Sequence, residues 1–279
     1  MYVSFGPQKR PVRRNTSPLN LLGFETHIVE HCNLNCKACC HFSPLAKEEY
    51  LDTAVFEKDV KRIFELTPQL KYIRLLGGEP LLHPDITVFF DITRKYFPET
   101  KLELTSNGML LPQMPDTFWE NCRGNNVNMF ISNYPIDIHF EKVQHWKEHG
   151  ITINYKPDML SAKNCFDLYP IDLNGGQDTV CNFNNCFFAN TCVTLAKGRF
   201  YTCPIAASAR AFKEYFHLDI YTGEENSIGI YEADNIQAIL DFLCKPIVFC
   251  KYCAIKEQVF ELKWGYSKKD IREWTLGSH

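Results

Sequence analysis

Cys32, Cys36 and Cys39 stand in the run His31-Cys-Asn-Leu-Asn-Cys-Lys-Ala-Cys39, and this C-x3-C-x2-C spacing restricts the chain more than any other feature. One short loop must deliver three thiols to one point. Thiolates hold iron–sulfur clusters, and a cubane has four irons. Three protein ligands therefore leave one iron open to a ligand from outside the protein, which suits chemistry better than plain electron transfer. The preceding run, Gly23-Phe-Glu-Thr-His-Ile-Val-Glu30, reads as a strand, so the loop is expected at a strand's carboxyl end.

A second signal is Gly77-Gly-Glu-Pro80, directly after the apolar run Tyr72-Ile-Arg-Leu-Leu76. Two glycines let backbone approach a ligand closely, and the glutamate offers an acceptor for an ammonium group. A third is Lys101-Leu-Glu-Leu-Thr-Ser-Asn-Gly108, a strand ending in Thr-x-Asn-Gly. Together these motifs resemble the radical S-adenosylmethionine (SAM) enzymes, over about residues 21–160. The resemblance implies a [4Fe–4S] cluster on Cys32, Cys36 and Cys39. It also implies SAM held at Gly77, Gly78, Glu79 and Pro80, with Glu79 accepting the SAM amino group. Ser106, Asn107 and Ser132 fall where the family often holds the carboxylate or ribose. One position departs from the family: the residue before the third cysteine is usually aromatic and packs on adenine, and here it is Ala38, which leaves Phe42 to take that place. His31, His41 and His83 lie near the motifs.

Strands and helices alternate from Gly23 onward. Thr53–Leu66 puts Phe56, Val60, Ile63 and Phe64 on one helical face, and Pro84–Phe97 repeats the pattern with Ile86, Phe89, Phe90 and Phe97. Asn126–Asn133 and Ile151–Tyr155 read as strands, and His139–His149 as a helix with Phe140, Val143 and Trp146 inward. Repeated βα units predict an α/β fold with a parallel sheet, whose ligands sit at the carboxyl ends of the strands. Each motif above lies at such an end. The family fold that the resemblance implies is a partial (β/α)6 barrel. Three segments are expected: a basic arm at 1–20 with Lys9, Arg10, Arg13 and Arg14, a core at 21–165, and an extension at 166–279. Asn164–Asn190 reads as polar and irregular, and Ser267-Lys-Lys-Asp270 as the capped start of a last helix that turns Ile271 and Trp274 to the core.

The extension holds a second cysteine set. Thr194-Leu-Ala-Lys-Gly-Arg-Phe-Tyr-Thr-Cys-Pro204 reads as a hairpin turning at Lys197-Gly198, flanked by Cys186 and Cys203 and followed by Cys250-x2-Cys253. Four thiolates saturate one site, as a structural zinc or as an iron–sulfur cluster. The spacing resembles the "twitch", or shortened SPASM, extension of radical SAM enzymes, a β-hairpin plus helix carrying one auxiliary [4Fe–4S] cluster. Cys192 competes with Cys186 but stands too close to Gly198 for that pattern. Cys40, Cys122, Cys165, Cys181 and Cys244 read as small buried hydrophobes.

Thirteen cysteines in 279 residues are too few for a disulfide scaffold, for which roughly 8–10% is usual. Clustered spacings in an odd total point instead to metal in a reducing, cytoplasmic compartment. A net charge of −3 gives no case for nucleic acid or membrane surfaces, and no apolar run reaches the length of a membrane span. The resemblance then implies an enzyme fed electrons by flavodoxin or ferredoxin that abstracts hydrogen from a small polar substrate. Dehydrogenation of a sugar, cyclitol or related alcohol is the first expectation, by similarity to the aminocyclitol dehydrogenases of this family. Epimerisation of such a substrate, which needs a hydrogen-donating thiol such as Cys165, Cys122 or Cys244, is the alternative. Peptide modification is a further one, although residues 1–20 look too short for a leader-binding domain.

Overall fold

Residues 2–3, 10–11, 16–17, 20–136, 141–156 and 165–277 are described by the structure, a computed structural model. They group into two compact units, one of 25–34 and the described residues of 48–156, the other of the described residues up to 24, 35–47 and 165–277. Lys9, Arg13, Arg14 and Phe140 lie outside the described residues. Arg10 belongs to the two-residue strand Arg10–Pro11, which pairs with Tyr2–Val3.

The first unit is built on strands β1 (Gly23–Val29, all but its first two residues), β2 (Tyr72–Gly77), β3 (Lys101–Ser106), β4 (Val127–Ser132) and β5 (Thr152–Lys156), neighbours in chain order. β2 to β5 pair in parallel, with Arg74 opposite Glu103, Glu103 opposite Asn128, and Ser132 opposite Lys156. Alternation sorts their two faces. Ile73, Leu75, Leu102, Leu104, Val127, Met129 and Ile131 are buried. On the alternate face Arg74 bridges Glu25 at 3.3 Å and Glu103 at 2.7 Å, so both buried carboxylates are paired.

The helices of this unit are α1 (Thr53–Leu66), α2 (Ile86–Tyr96), α3 (Asp116–Gly124) and α4 (Glu141–Glu148). Asp52 caps α1, its carboxylate accepting from Ala54 N–H at 2.8 Å and Val55 N–H at 3.1 Å. Phe56 of α1 meets Phe89 of α2 with ring centroids 4.9 Å apart, and Trp119 of α3 stacks on Trp146 of α4. Val143 and Trp146 are buried as their helical period requires. No expectation covered α3. Its nine residues bury only Phe118, Trp119 and Cys122, too short an apolar face to stand out as a period.

The second unit pairs β6 (Cys165–Leu168) antiparallel with β10 (Val259–Lys263). β7 (Thr194–Ala196), β8 (Arg199–Tyr201) and β9 (Ser227–Gly229) form an antiparallel meander. The β7–β8 hairpin turns at Lys197 and Gly198, with φ of 52° and 71°. Two positive φ values are what a tight two-residue hairpin turn demands. Three helices complete the unit, α5 (Thr179–Asn185), α6 (Pro204–Phe216) and α7 (Ile236–Leu243). Its core is aromatic: Phe42, Phe212, Phe249, Tyr252 and Trp274 are all buried.

Three expectations are corrected here. The 164–190 segment is not wholly irregular, since it contains β6 and α5. α5 lacks an apolar period and is started instead by Asp178, whose carboxylate accepts from Val180 and Cys181 N–H at 2.9 Å. The last helix is only a 3₁₀ turn, Ile271–Glu273, capped by Asp270 and Glu273. Lys269 has φ 55° and prevents a helix from running back to Ser267. Phe42 is not free for an adenine ring: it is 1% exposed, packed 4.9 Å from Phe212 and 6.2 Å from Trp274. Among the described residues no helix is long and apolar enough to cross a membrane.

Candidate active site

The carboxyl ends of β1, β2 and β3 are tied into one backbone knot. Gly78 N–H donates to Val29 C=O at 2.8 Å, and Glu79 N–H to His31 C=O at 3.0 Å. This approach is why both glycines are needed. A Cβ on Gly77 would lie 2.1 Å from Val29 O, and one on Gly78 1.9 Å from His31 O. Gly77 also has φ +142°, open only to glycine.

Glu79 is fully buried at the centre of the knot. One carboxylate oxygen accepts from Ser106 Oγ–H at 2.7 Å and Leu81 N–H at 3.1 Å, the other from Asn107 N–H at 2.8 Å. Burial pushes its pKa up to about 7, although all three donors pull it down. Glu79 also starts the 3₁₀ turn Pro80–Leu82, with Pro80 at its first position. Asn107 continues the knot: its amide N–H donates to Asn33 Oδ1 at 2.7 Å and lies 3.7 Å from Cys32 Sγ. Leu34 N–H points at the same sulfur from 3.4 Å. Thus Glu79, the Ser106-Asn107 pair and Cys32, from three places in the sequence, are joined in one hydrogen-bonded set. Ser106 is opposite Ile131 in the sheet, which puts Ser132 one residue further along β4, at its end. His83 spends both ring nitrogens on backbone, at Leu51 O and Asp85 N, and His31 packs edge-on against Tyr50.

Cys36 and Cys39 belong to the second unit. Burial first, then the nearby Cys40 and Cys36 sulfurs, pushes the Cys39 thiol up to about 12. Crowded, buried thiols of this kind disfavour the anion until a cation offsets it, and bound iron inverts that balance. Trp264 Nε1–H points at Cys36 Sγ from 3.2 Å. An N–H donor aimed at a cysteine sulfur, as at Cys32 and as at Cys36, suits a thiolate that holds iron.

A second cysteine cluster lies within the second unit. Cys186, Cys203, Cys250 and Cys253 line one cavity with Asn182, Phe249 and other apolar groups, and Cys192 is not among its lining residues. Three local devices supply the four. Cys186 ends α5, and Cys203 precedes α6, whose Ala206 N–H approaches its sulfur at 3.5 Å. Cys250 lies within the 3₁₀ turn Val248–Tyr252 and Cys253 directly follows it. Asn182 fastens this turn, its amide donating to Cys250 O at 2.8 Å and to Cys253 O. Burial raises the Cys203 and Cys253 thiols well above their ordinary value, and neighbouring cysteines of the same four raise them further. Four thiols around one cavity supply the full ligand set of an iron–sulfur cluster or of a structural zinc. Neither Asn182 nor Trp264 was among the expected site residues. A lone asparagine in a polar stretch, and a tryptophan 228 positions from its sulfur, carry no sequence signal.

The remaining thiols are dispersed. Of those expected to be small buried hydrophobes, Cys122 is wholly buried in α3, where burial pushes its thiol up. The expectation is corrected for Cys40 and Cys181, which are half-buried, and for Cys244, which is exposed after α7. The Cys165 side chain lies outside what is described.

Residues 26–133 match the radical SAM superfamily. The chain is 33% identical over 90 residues to the GTP 3',8-cyclase of Aliarcobacter butzleri (strain RM4018), and 35% identical over 89 residues to that of Sulfurovum sp. (strain NBC37-1). Each match covers 31% of this chain and 27% of the relative, so the chain spans about a quarter of the length of these curated relatives. The crystal structure of BtrN in complex with AdoMet and 2-DOIA aligns at a TM-score of 0.51 and 14% identity, over 84% of this chain and 92% of BtrN. At that identity the likeness is one of fold, and it runs well beyond residues 26–133.

Proposed function

We propose, for a chain whose residues 26–133 form a radical SAM domain with its [4Fe–4S] cluster and SAM, that the enzyme dehydrogenates a small polar alcohol, a sugar or cyclitol, to the carbonyl. Cys32, Cys36 and Cys39 hold the SAM-binding cluster, and Gly77 to Pro80, Ser106, Asn107 and Ser132 border the SAM. Loaded in this way, the site supplies reductive SAM cleavage and hydrogen-atom abstraction, with electrons from flavodoxin or ferredoxin. The residues of the chain position and exclude. The Glu79 knot fixes the strand ends against the loop, and the glycines let the backbone close on the ligand.

The observation that carries the dehydrogenase reading is the cavity lined by Cys186, Cys203, Cys250 and Cys253. Turning an alcohol into a carbonyl removes two electrons and two protons. One electron and one proton leave together as the abstracted hydrogen atom, the hydroxyl proton passes to water, and the second electron needs an acceptor. A cluster fully ligated by these four thiols would be that acceptor. Fold likeness to BtrN, crystallised with AdoMet and 2-DOIA, supports a small-molecule substrate of this class. Cys122 is an unsuitable hydrogen donor for an epimerase, because its sulfur is sealed in the core of α3.

The test is anaerobic reconstitution, iron analysis and turnover of candidate alcohols in deuterated water. About eight irons are expected for two four-iron clusters. The product should be two hydrogens poorer than the substrate, with no carbon-bound deuterium gained from the solvent. Deuterium at the reacting carbon in a product of otherwise unchanged mass would establish an epimerase instead.

A further inference from the structure

The loop that carries Cys36 and Cys39 has a demanding backbone. Asn35, Ala38 and Phe42 have φ of 52°, 54° and 52°, a left-handed region that side chains other than Asn and Asp seldom enter. Such conformations persist where neighbours over-determine them. Here the neighbours are supplied by the chain beyond β10. Lys37 N–H donates to Gly265 C=O at 2.7 Å, and Ser267 N–H to Asn35 C=O at 2.8 Å, so that Cys36 bridges Tyr266 in antiparallel fashion. Trp274, buried, donates its indole N–H to Cys39 C=O at 2.9 Å. Within that frame the half-buried Trp264 indole is held with its N–H on Cys36 Sγ, at 3.2 Å.

We propose that Trp264 is a positioning residue that sets the reduction potential of the SAM-binding cluster through its hydrogen bond to the Cys36 sulfur. The inference rests on the reading of Cys36 as a cluster ligand. Reduction adds an electron that is shared between the irons and their sulfurs. A donor on a thiolate therefore stabilises the reduced cluster more than the oxidised one and raises its potential. Phenylalanine at this position keeps the apolar ring and removes the donor.

The experiment is a redox titration of the reconstituted holoenzyme followed by electron paramagnetic resonance, with the SAM-binding cluster identified as the signal that SAM perturbs. Trp264→Phe should keep its iron and lose about tenfold in the reduction equilibrium of that cluster, a fall of about 59 mV for one electron. A signal that SAM leaves unchanged should keep its midpoint. An unshifted midpoint in the loaded variant would overturn the proposal. Should the variant fail to load, the wild-type enzyme carrying indole-¹⁵N tryptophan decides. A ¹⁵N coupling on the SAM-perturbed signal supports the hydrogen bond, and its absence overturns it. A wild-type chain with no SAM-sensitive cluster would overturn the ligand reading itself, a failure seen before Trp264 is altered.

Discussion

Glu79 has a buried carboxylate whose three hydrogen-bond donors come from Ser106, Asn107 and Leu81. Its pKa rises from 4.5 to about 7 because burial outweighs those donors. A raised pKa means that the folded chain binds the proton more tightly than the unfolded one. The stability it contributes is therefore present in full below about 4.5 and is lost as pH climbs through about 7. The iron-free chain should become less stable by about 2–3 kcal/mol between pH 5 and 8 on this account. Glu79→Gln should flatten that slope. It should also lower stability throughout, by about 1–3 kcal/mol, because the new amide N–H₂ faces the Asn107 N–H where an acceptor stood. Thermal unfolding from pH 5 to 8 reads both effects. An unchanged slope in the variant would show that another group carries the pH dependence.

At the scale of elements, the turn bearing Cys250 and Cys253 depends on α5. Buried Asn182 donates from its side chain to both cysteine carbonyls, which also accept the backbone N–H of Cys253 and of Ile255. Asn182→Ala removes two buried hydrogen bonds and should cost about 2 kcal/mol. Iron should fall from about eight to about four per chain while SAM cleavage survives. Full iron in the variant would mean that the turn holds itself. Much of the surrounding framework was legible in the sequence. The α1 limits, Thr53 and Leu66, follow from the helical spacing of Phe56, Val60 and Ile63, and β2 and β3 from short apolar runs closed by Gly77 and Asn107. The Lys197–Gly198 turn was legible because its chemistry is local. α5 was not, because its stability comes from a cap and from contacts to residues 68 and 71 positions away. Glu79 shows the same limit within a motif. Gly-Gly-Glu-Pro marks the place, but the partners Ser106 and Asn107 are found only once β3 is laid beside β2.

Across the whole molecule the proposed function gives two sets of cysteines separate ligand roles, Cys32, Cys36 and Cys39 for SAM cleavage and Cys186, Cys203, Cys250 and Cys253 for accepting an electron. If that division is right, single substitutions should separate two activities that normally run together. Cys253→Ala removes one sulfur from a buried, apolar lining and replaces it with a small apolar group, so the fold should tolerate the change. The variant should retain about four irons and continue to produce 5′-deoxyadenosine, yet make no carbonyl product. The reverse variant, with Cys32, Cys36 and Cys39 all changed to alanine, should also retain about four irons but cleave no SAM. Iron content, 5′-deoxyadenosine and product are measured on the same samples, with thermal unfolding as the check that each chain is folded. A folded Cys253→Ala enzyme that still yields the carbonyl would show that the second electron leaves by another route, and the second set would then be structural.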